Sequence, residues 1–207
     1  MSTVYKVGPH RVSVGSIDDR QIDRMLGSKR IEVMYSDPPW GDGNVKFWAT
    51  MAKKQAGIDV RPMAFTELLA GVERFLPRID GWAFIEMGER WESLVIEMCQ
   101  RHFAHVTTFG GRYRGGKDLL PYRIVAASNL GTFEAPDDWT RTGYKAVIGA
   151  VRAVATPGAI AFDPCCGLGY TARAALETGM VFYGNELSPA RAAETLAKLE
   201  KGTLTAA

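Results

Sequence analysis

The sequence predicts an α/β fold, a mostly parallel sheet with helices on both faces, and two patterns carry that prediction. Apolar runs of strand length recur along the chain, several of them continuous, as strands buried on both sides require. Stretches with apolar residues at helical spacing separate them, and strand–helix alternation over the whole length favours parallel pairing through helical crossovers. Seven strands are expected, at residues 11–16, 31–36, 81–87, 105–109, 123–128, 159–162 and 180–184. Among the helices, Phe65, Leu68, Leu69, Val72, Phe75 and Leu76 recur at helical spacing, with Pro77 just beyond. Residues 94–98 form another helix core and residues 192–199 a third, while Tyr170 to Thr178 and 144–149 are helix-like.

At 207 residues the chain suits one α/β domain, with enough apolar residues for a single core. No run of about 18 apolar residues exists, so a transmembrane helix is excluded and no membrane partner is expected. Met1-Ser2-Thr3-Val4-Tyr5-Lys6 lacks the apolar centre of a signal peptide, and the cytoplasm is the expected compartment. The net charge of +2 is too small to announce nucleic acid by itself. Cys99, Cys165 and Cys166 have no metal-ligand spacing, and no metal is expected. His10, His102 and His105 share no spacing and read as surface or strand-end residues.

The apolar run from Ile31 to Ser36 ends in Asp37-Pro38-Pro39-Trp40. Two prolines fix φ near about −65° and carry no N–H, so the Pro38 carbonyl and the Asp37 carboxylate can both face outward as acceptors. Such acceptors suit an exocyclic amino group on a planar base, on which Trp40 can stack. The competing reading is a plain strand-ending turn, since Asp-Pro and Pro-Pro mark loops anywhere.

Far downstream, the strand at 159–162 enters Asp163-Pro164-Cys165-Cys166-Gly167-Leu168-Gly169 and then a helix. Glycines at that junction let the backbone approach a ligand and leave helix N–H groups free to receive it. The next strand ends at Asn185-Glu186, and an acidic side chain one βα unit after a glycine turn is placed to bind a ribose diol. Together they read as a nucleoside-cofactor pocket. An NAD-type site is the alternative, although residue 172 is alanine where a third glycine would stand.

Asp37-Pro38-Pro39-Trp40 resembles the catalytic motif of the S-adenosylmethionine-dependent methyltransferases that act on adenine N6 or cytosine N4 of nucleic acids. The stretch Asp163 to Gly169 resembles the cofactor loop of the same enzymes. The catalytic motif precedes the cofactor motif, which resembles the permuted arrangement called the β class. The resemblance implies a seven-stranded, Rossmann-like methyltransferase sheet, circularly permuted, with cofactor-binding strands at the two ends of the chain. It implies S-adenosylmethionine as cofactor and DNA as partner. By it Asp37 and Pro38 bind the amino N–H groups, and Asp37, Pro38, Pro39 and Trp40 form the catalytic set. The cofactor set is Ser16, Asp18, Asp37, Lys145, Asp163, Pro164, Cys165, Gly167, Gly169 and Glu186. Ser16 stands where the family usually has an aspartate near the cofactor adenine, and Asp18 or Asp19 is the substitute. Lys145 is the candidate partner of the cofactor carboxylate.

Pro164-Cys165 also invites comparison with the nucleophile of C5-cytosine methyltransferases, but it precedes a glycine turn and not the catalytic strand, and the cysteines read as small loop residues. Glu86 and Glu89 read either as pocket-lining groups or as a solvated strand end. Basic residues interleaved with aromatics fall in two expected loops, 41–62 and 110–121, which suits phosphate contact plus base stacking. The candidate nucleic-acid contacts are Lys46, Trp48, Lys53, Lys54, Arg112, Arg114 and Lys117, with Arg61 and Tyr113 nearby. The interval 129–142 leaves room only for a loop, so no separate target-recognition domain is expected and a second subunit, as in a homodimer, could supply readout. The expected activity is methylation of adenine N6 in DNA. N4-cytosine in DNA, N6-adenine in RNA, and a non-catalytic nucleic-acid-binding partner subunit are the alternatives.

Overall fold

In the computed structural model, which describes residues 3–57, 60–61, 63–115, 118–135 and 143–205, eight strands form one sheet. They are β1 (Thr3–Val7), β2 (His10–Val14), β3 (Ile31–Ser36), β4 (Ile79–Gly88), β5 (His105–Gly115), β6 (Asp118–Ser128), β7 (Ile160–Asp163) and β8 (Val181–Glu186). The helices are α1 (Arg20–Leu26), α2 (Gly41–Ala56), α3 (Phe65–Glu73), α4 (Glu92–Gln100), α5 (Tyr144–Val154), α6 (Tyr170–Glu177) and α7 (Pro189–Thr205).

The sheet order is β1-β2-β8-β7-β3-β4-β6-β5. The five central strands, β2 to β4 in that order, pair in parallel, and the antiparallel pairings lie at the two sides. The first and last parts of the chain therefore meet within the sheet, where β2 pairs with β8.

Side-chain alternation splits the core into two layers. Met34, Ile85, Phe162 and Tyr183 point to the layer covered by Ile22 and Leu26 of α1, Val45 of α2, Phe65 and Leu69 of α3, and Val95 of α4. Val33, Phe84, Ala161 and Phe182 point to the layer covered by Val147 and Val151 of α5, Ala172 and Ala175 of α6, and Ala192 and Leu199 of α7. This is the expected α/β class with helices on both faces.

Three elements depart from the sequence reading. β1 is an eighth strand, an antiparallel edge whose residues are exposed or half-buried and which offers little apolar signal. The segment after Trp40 is not a loop but α2, in which Val45 and Ala52 are buried on one side. The 110–121 segment is not a loop either: β5 and β6 continue as a paired hairpin out to Gly115↔Asp118. Pro121 lies just past the last β6 residue that pairs with β4, in a two-stranded ribbon where a missing N–H is tolerated.

No helix among the described residues is long and apolar enough to cross a membrane, and no cluster of metal-ligating side chains occurs among them.

Candidate active site

β3 and β7 are neighbours in the sheet, yet the chain leaves them in opposite directions: β3 leads through α2 and α3 to β4, and β7 leads through α6 to β8 on the other side. Such a switch point opens a crevice at the carboxyl ends of the strands. A cleft of about 1060 Å³ lies there, lined by Ser16 after β2, Asp37 to Trp40 after β3, Pro164 and Cys165 after β7, and Asn185 and Glu186 of β8. α2 supplies the opposite wall with Val45, Lys46, Trp48 and Lys53.

Asp37 faces the open cleft while protein packs closely around its other sides, and the packing governs its titration. Burial pushes its carboxyl up to about 6, against the pull of the Trp40 indole and of Arg191. Its Oδ1 accepts the Trp40 Nε1–H at 3.1 Å, so the two ends of the tetrapeptide hold each other. Tyr113, from the β5–β6 hairpin, stands edge-on to the Trp40 ring at 5.5 Å, and an added Cβ at Gly88 would come within 3.2 Å of it.

The glycine turn after β7 is fixed from below. Asp163 Oδ1 accepts the Cys165 N–H at 3.0 Å and Oδ2 accepts the Thr171 hydroxyl at 2.6 Å. Asp163 is buried and does not line the cleft; burial pushes it up to about 7. Gly167 and Gly169 take positive φ, 52° and 77°, which only glycine adopts without strain. Gly169 also packs against α7, where an added Cβ would lie 2.7 Å from Thr195 Oγ1. Glu186 closes the floor: Oε2 accepts the Gly167 N–H at 2.7 Å and Oε1 the Ser188 N–H at 2.9 Å. Burial raises its pKa, opposed chiefly by the Ser188 N–H and by Arg191. Asn185 donates to the Gly15 and Pro164 carbonyls, while its buried Oδ1 has no partner among the described residues.

The cleft thus gathers Ser16, Asp37, Pro38, Pro39, Trp40, Pro164, Cys165 and Glu186 from the expected set. It excludes others. Lys145 is exposed on α5 and does not reach the cleft. Asp18 is exposed outside it, and Asp19 instead caps α1 by accepting the Gln21 N–H. Asp163, Gly167 and Gly169 do not line the cleft and serve the turn. Cys165 lines the cleft, but burial drives its thiol well above the usual range, so it holds its proton and is no thiolate nucleophile.

Of the candidate nucleic-acid contacts, Lys46, Trp48 and Lys53 line the cleft wall, while Lys54 and Arg112 are exposed away from it. Lys117 and the side chain of Arg114 lie outside the described residues, as does 136–142 of the interval after β6. Trp48 is engaged within the protein: the Arg191 guanidinium sits 4.3 Å from its ring centroid. Glu86 fits neither of its two readings. It is buried, outside the cleft, and accepts the Tyr35 hydroxyl at 2.8 Å; burial, then the charge of Asp37, pushes its carboxyl up to about 8. Glu89 pairs with Arg123 at the surface.

Arg191 lines the cleft and is absent from the expected set. One signal for it is present in the sequence, because a cation in the first turn of a helix opposes the helix dipole and needs a local reason to be there.

No family model matches the chain, and no curated protein matches it in sequence. Solved structures do match. A structure of M1.HpyAVI in complex with SAM is similar with a TM-score of 0.61 at 14% identity, covering 91% of this chain and 98% of that one. TTHA0409 from Thermus thermophilus, complexed with S-adenosyl-L-methionine, gives 0.62 at 16% identity, with 93% and 94% covered. PvuII DNA methyltransferase, cytosine-N4-specific, gives 0.61 at 11% identity, with 96% and 92% covered. The shared fold extends over nearly the whole of each chain.

Proposed function

We propose that this chain transfers a methyl group from S-adenosylmethionine to the exocyclic N6 amino group of adenine in DNA. The observation that carries the proposal is the meeting, at one switch-point cleft, of Asp37-Pro38-Pro39-Trp40 with the Pro164-Cys165 turn and Glu186. The fold match to chains solved with S-adenosylmethionine supports the same cofactor here.

The residues fit that cofactor. Asp37 and Glu186 line the cleft with their carboxyl groups raised by burial, so a positive charge set directly beside them would be favoured there. Asn185 Oδ1 is a buried acceptor awaiting a donor, and Glu186 suits a ribose diol. When bound, the sulfonium supplies an activated methyl group. Asp37 and the Pro38 carbonyl accept the two amino N–H groups of the target base, and Trp40 stacks on its ring. Holding the nitrogen in this way would free its lone pair toward the activated methyl group that the bound cofactor would supply. Asp37, raised to about 6, is matched to take up near neutral pH the one proton that the methylated amino nitrogen would shed.

Aspartate at the first motif position favours adenine, by resemblance to the amino-methyltransferases. N4-cytosine is the second reading, favoured by the likeness to the cytosine-N4-specific PvuII enzyme.

The test is Asp37→Ala assayed for methyl transfer to DNA and, separately, for cofactor binding. Transfer should vanish while cofactor affinity stays within a few-fold, since Asp37 grips the target and not the cofactor. Equal turnover by the variant would sink the assignment.

A further inference from the structure

With Lys145 outside the cleft, the cofactor carboxylate lacks its expected partner. Arg191 occupies the place such a partner needs. Its guanidinium lies over the glycine turn, so close that an added Cβ at Gly167 would sit 2.5 Å from its terminal nitrogen. Trp48 of α2 backs it on another side at 4.3 Å. It lines the same cleft as Asp37 and Glu186.

We infer that Arg191 binds the carboxylate of the methionine arm of the cofactor and that Trp48 holds the guanidinium in position for it. This rests on the cofactor reading under the proposed function. If Glu186 holds the ribose and Asp37 faces the methyl group, Arg191, over the Gly167 turn in the same cleft, would be the residue that holds the cofactor carboxylate. Arg191 interacts electrostatically with both carboxylates in the structure as it stands. A guanidinium left facing them alone would repel an arriving sulfonium. Pairing with the cofactor carboxylate removes that conflict, and a planar guanidinium offers two parallel donors for it. The other cations of the cleft, Lys46, Lys53 and Arg61, come from α2 and the segment after it, on the wall facing the floor. Arg61 is also paired with Glu67. The site also accounts for a cation in the first turn of α7, where the helix dipole disfavours one.

The test compares two nucleosides by calorimetry, S-adenosylhomocysteine and its decarboxylated amine analogue, on the intact protein, Arg191→Met and Arg191→Lys. The intact protein should prefer the carboxylate-bearing ligand by about 10- to 100-fold, the usual worth of hydrogen bonds between charged groups. In Arg191→Met that preference should fall to near parity, with affinity for the amine analogue held within a few-fold. Arg191→Lys should restore part of the preference. An unchanged preference in Arg191→Met would overturn the assignment. Equal loss of both ligands by a variant that melts like the intact protein would do the same, because the side chain would then only support the floor. Failure of the intact protein to bind either nucleoside would sink the cofactor reading, and this inference with it.

Discussion

The floor and the roof of the cleft are built differently. The floor, from β7 to the start of α7, spends its polar groups on itself: Asp163 on Thr171 and Cys165, Glu186 on Gly167 and Ser188, Asn185 on Gly15 and Pro164. The roof, α2, begins without a side-chain cap and leaves Phe47 half exposed. It is tied down at a few points, among them Asp42 accepting the Phe65 N–H at 2.7 Å and Trp48 on Arg191. A floor already bonded in this way needs little ordering when a ligand arrives, which keeps the entropic cost of binding low. A roof on few ties can adapt to what lies beneath it.

Breaking the floor should therefore do the most damage. Gly169→Ala would force a left-handed residue and drive a Cβ to 3.0 Å from the Thr195 backbone. Strain and overpacking together predict a loss of about 3 kcal/mol of stability, read from denaturant midpoints. A loss below about 0.5 kcal/mol would show that α6 and α7 shift freely, and that the floor is not rigid.

Next in size is Glu186→Ala, expected to weaken S-adenosylmethionine binding by about 1.5–3 kcal/mol. Calorimetry reads it directly. Unchanged affinity would place the ribose elsewhere and remove the functional half of the contrast.

The pH dependence separates the two effects of burial. Asp37 works as a charged acceptor, present above its raised pKa of about 6. Below that pH, kcat/KM should fall about tenfold per unit. The stability contribution of Asp163 runs the other way: with its folded pKa raised to about 7, the folded chain binds a proton more tightly than the unfolded one. Its contribution therefore declines as pH rises from about 4 to about 7. A pH-independent kcat/KM between 5 and 7 would remove Asp37 from the reaction.

The smallest effect is expected at the roof and the outer surface. Replacing Lys46, Lys53, Lys54 and Arg112 by alanine should weaken all DNA sequences together and flatten the logarithmic salt slope by about 0.9 for each phosphate no longer neutralised. An unchanged slope would place the phosphate path elsewhere and leave α2 with a role toward the cofactor alone.

What the sequence disclosed follows the same division. The floor is written in local chemistry: buried strands as apolar runs, glycines where the backbone must turn, Glu186 at the strand end. The catalytic tetrapeptide is legible for the same reason, since two prolines and an aspartate impose their geometry on the spot. The roof is not. Gly41, Gly43 and Asn44 are poor helix formers, and α2 is held in part because Val45 packs into a core built from residues distant in sequence. The β5–β6 hairpin hides behind glycines and Pro121, which read locally as a loop. β1 is an edge strand of which only Val4 and Val7 are half-buried, a weak apolar signal. Asp163 and Glu86 are carboxylates whose role depends on what folds against them, Thr171 in one case and Tyr35 in the other. Arg191 reaches Gly167 only once α7 packs back across the turn.

The most direct test of the central claim is incubation of the protein with labelled S-adenosylmethionine and mixed DNA and RNA, followed by mass analysis of the nucleosides. Label should appear in N6-methyldeoxyadenosine and depend on Asp37. Label in 5-methyldeoxycytidine, or in no nucleoside at all, would contradict amino-group transfer at this cleft.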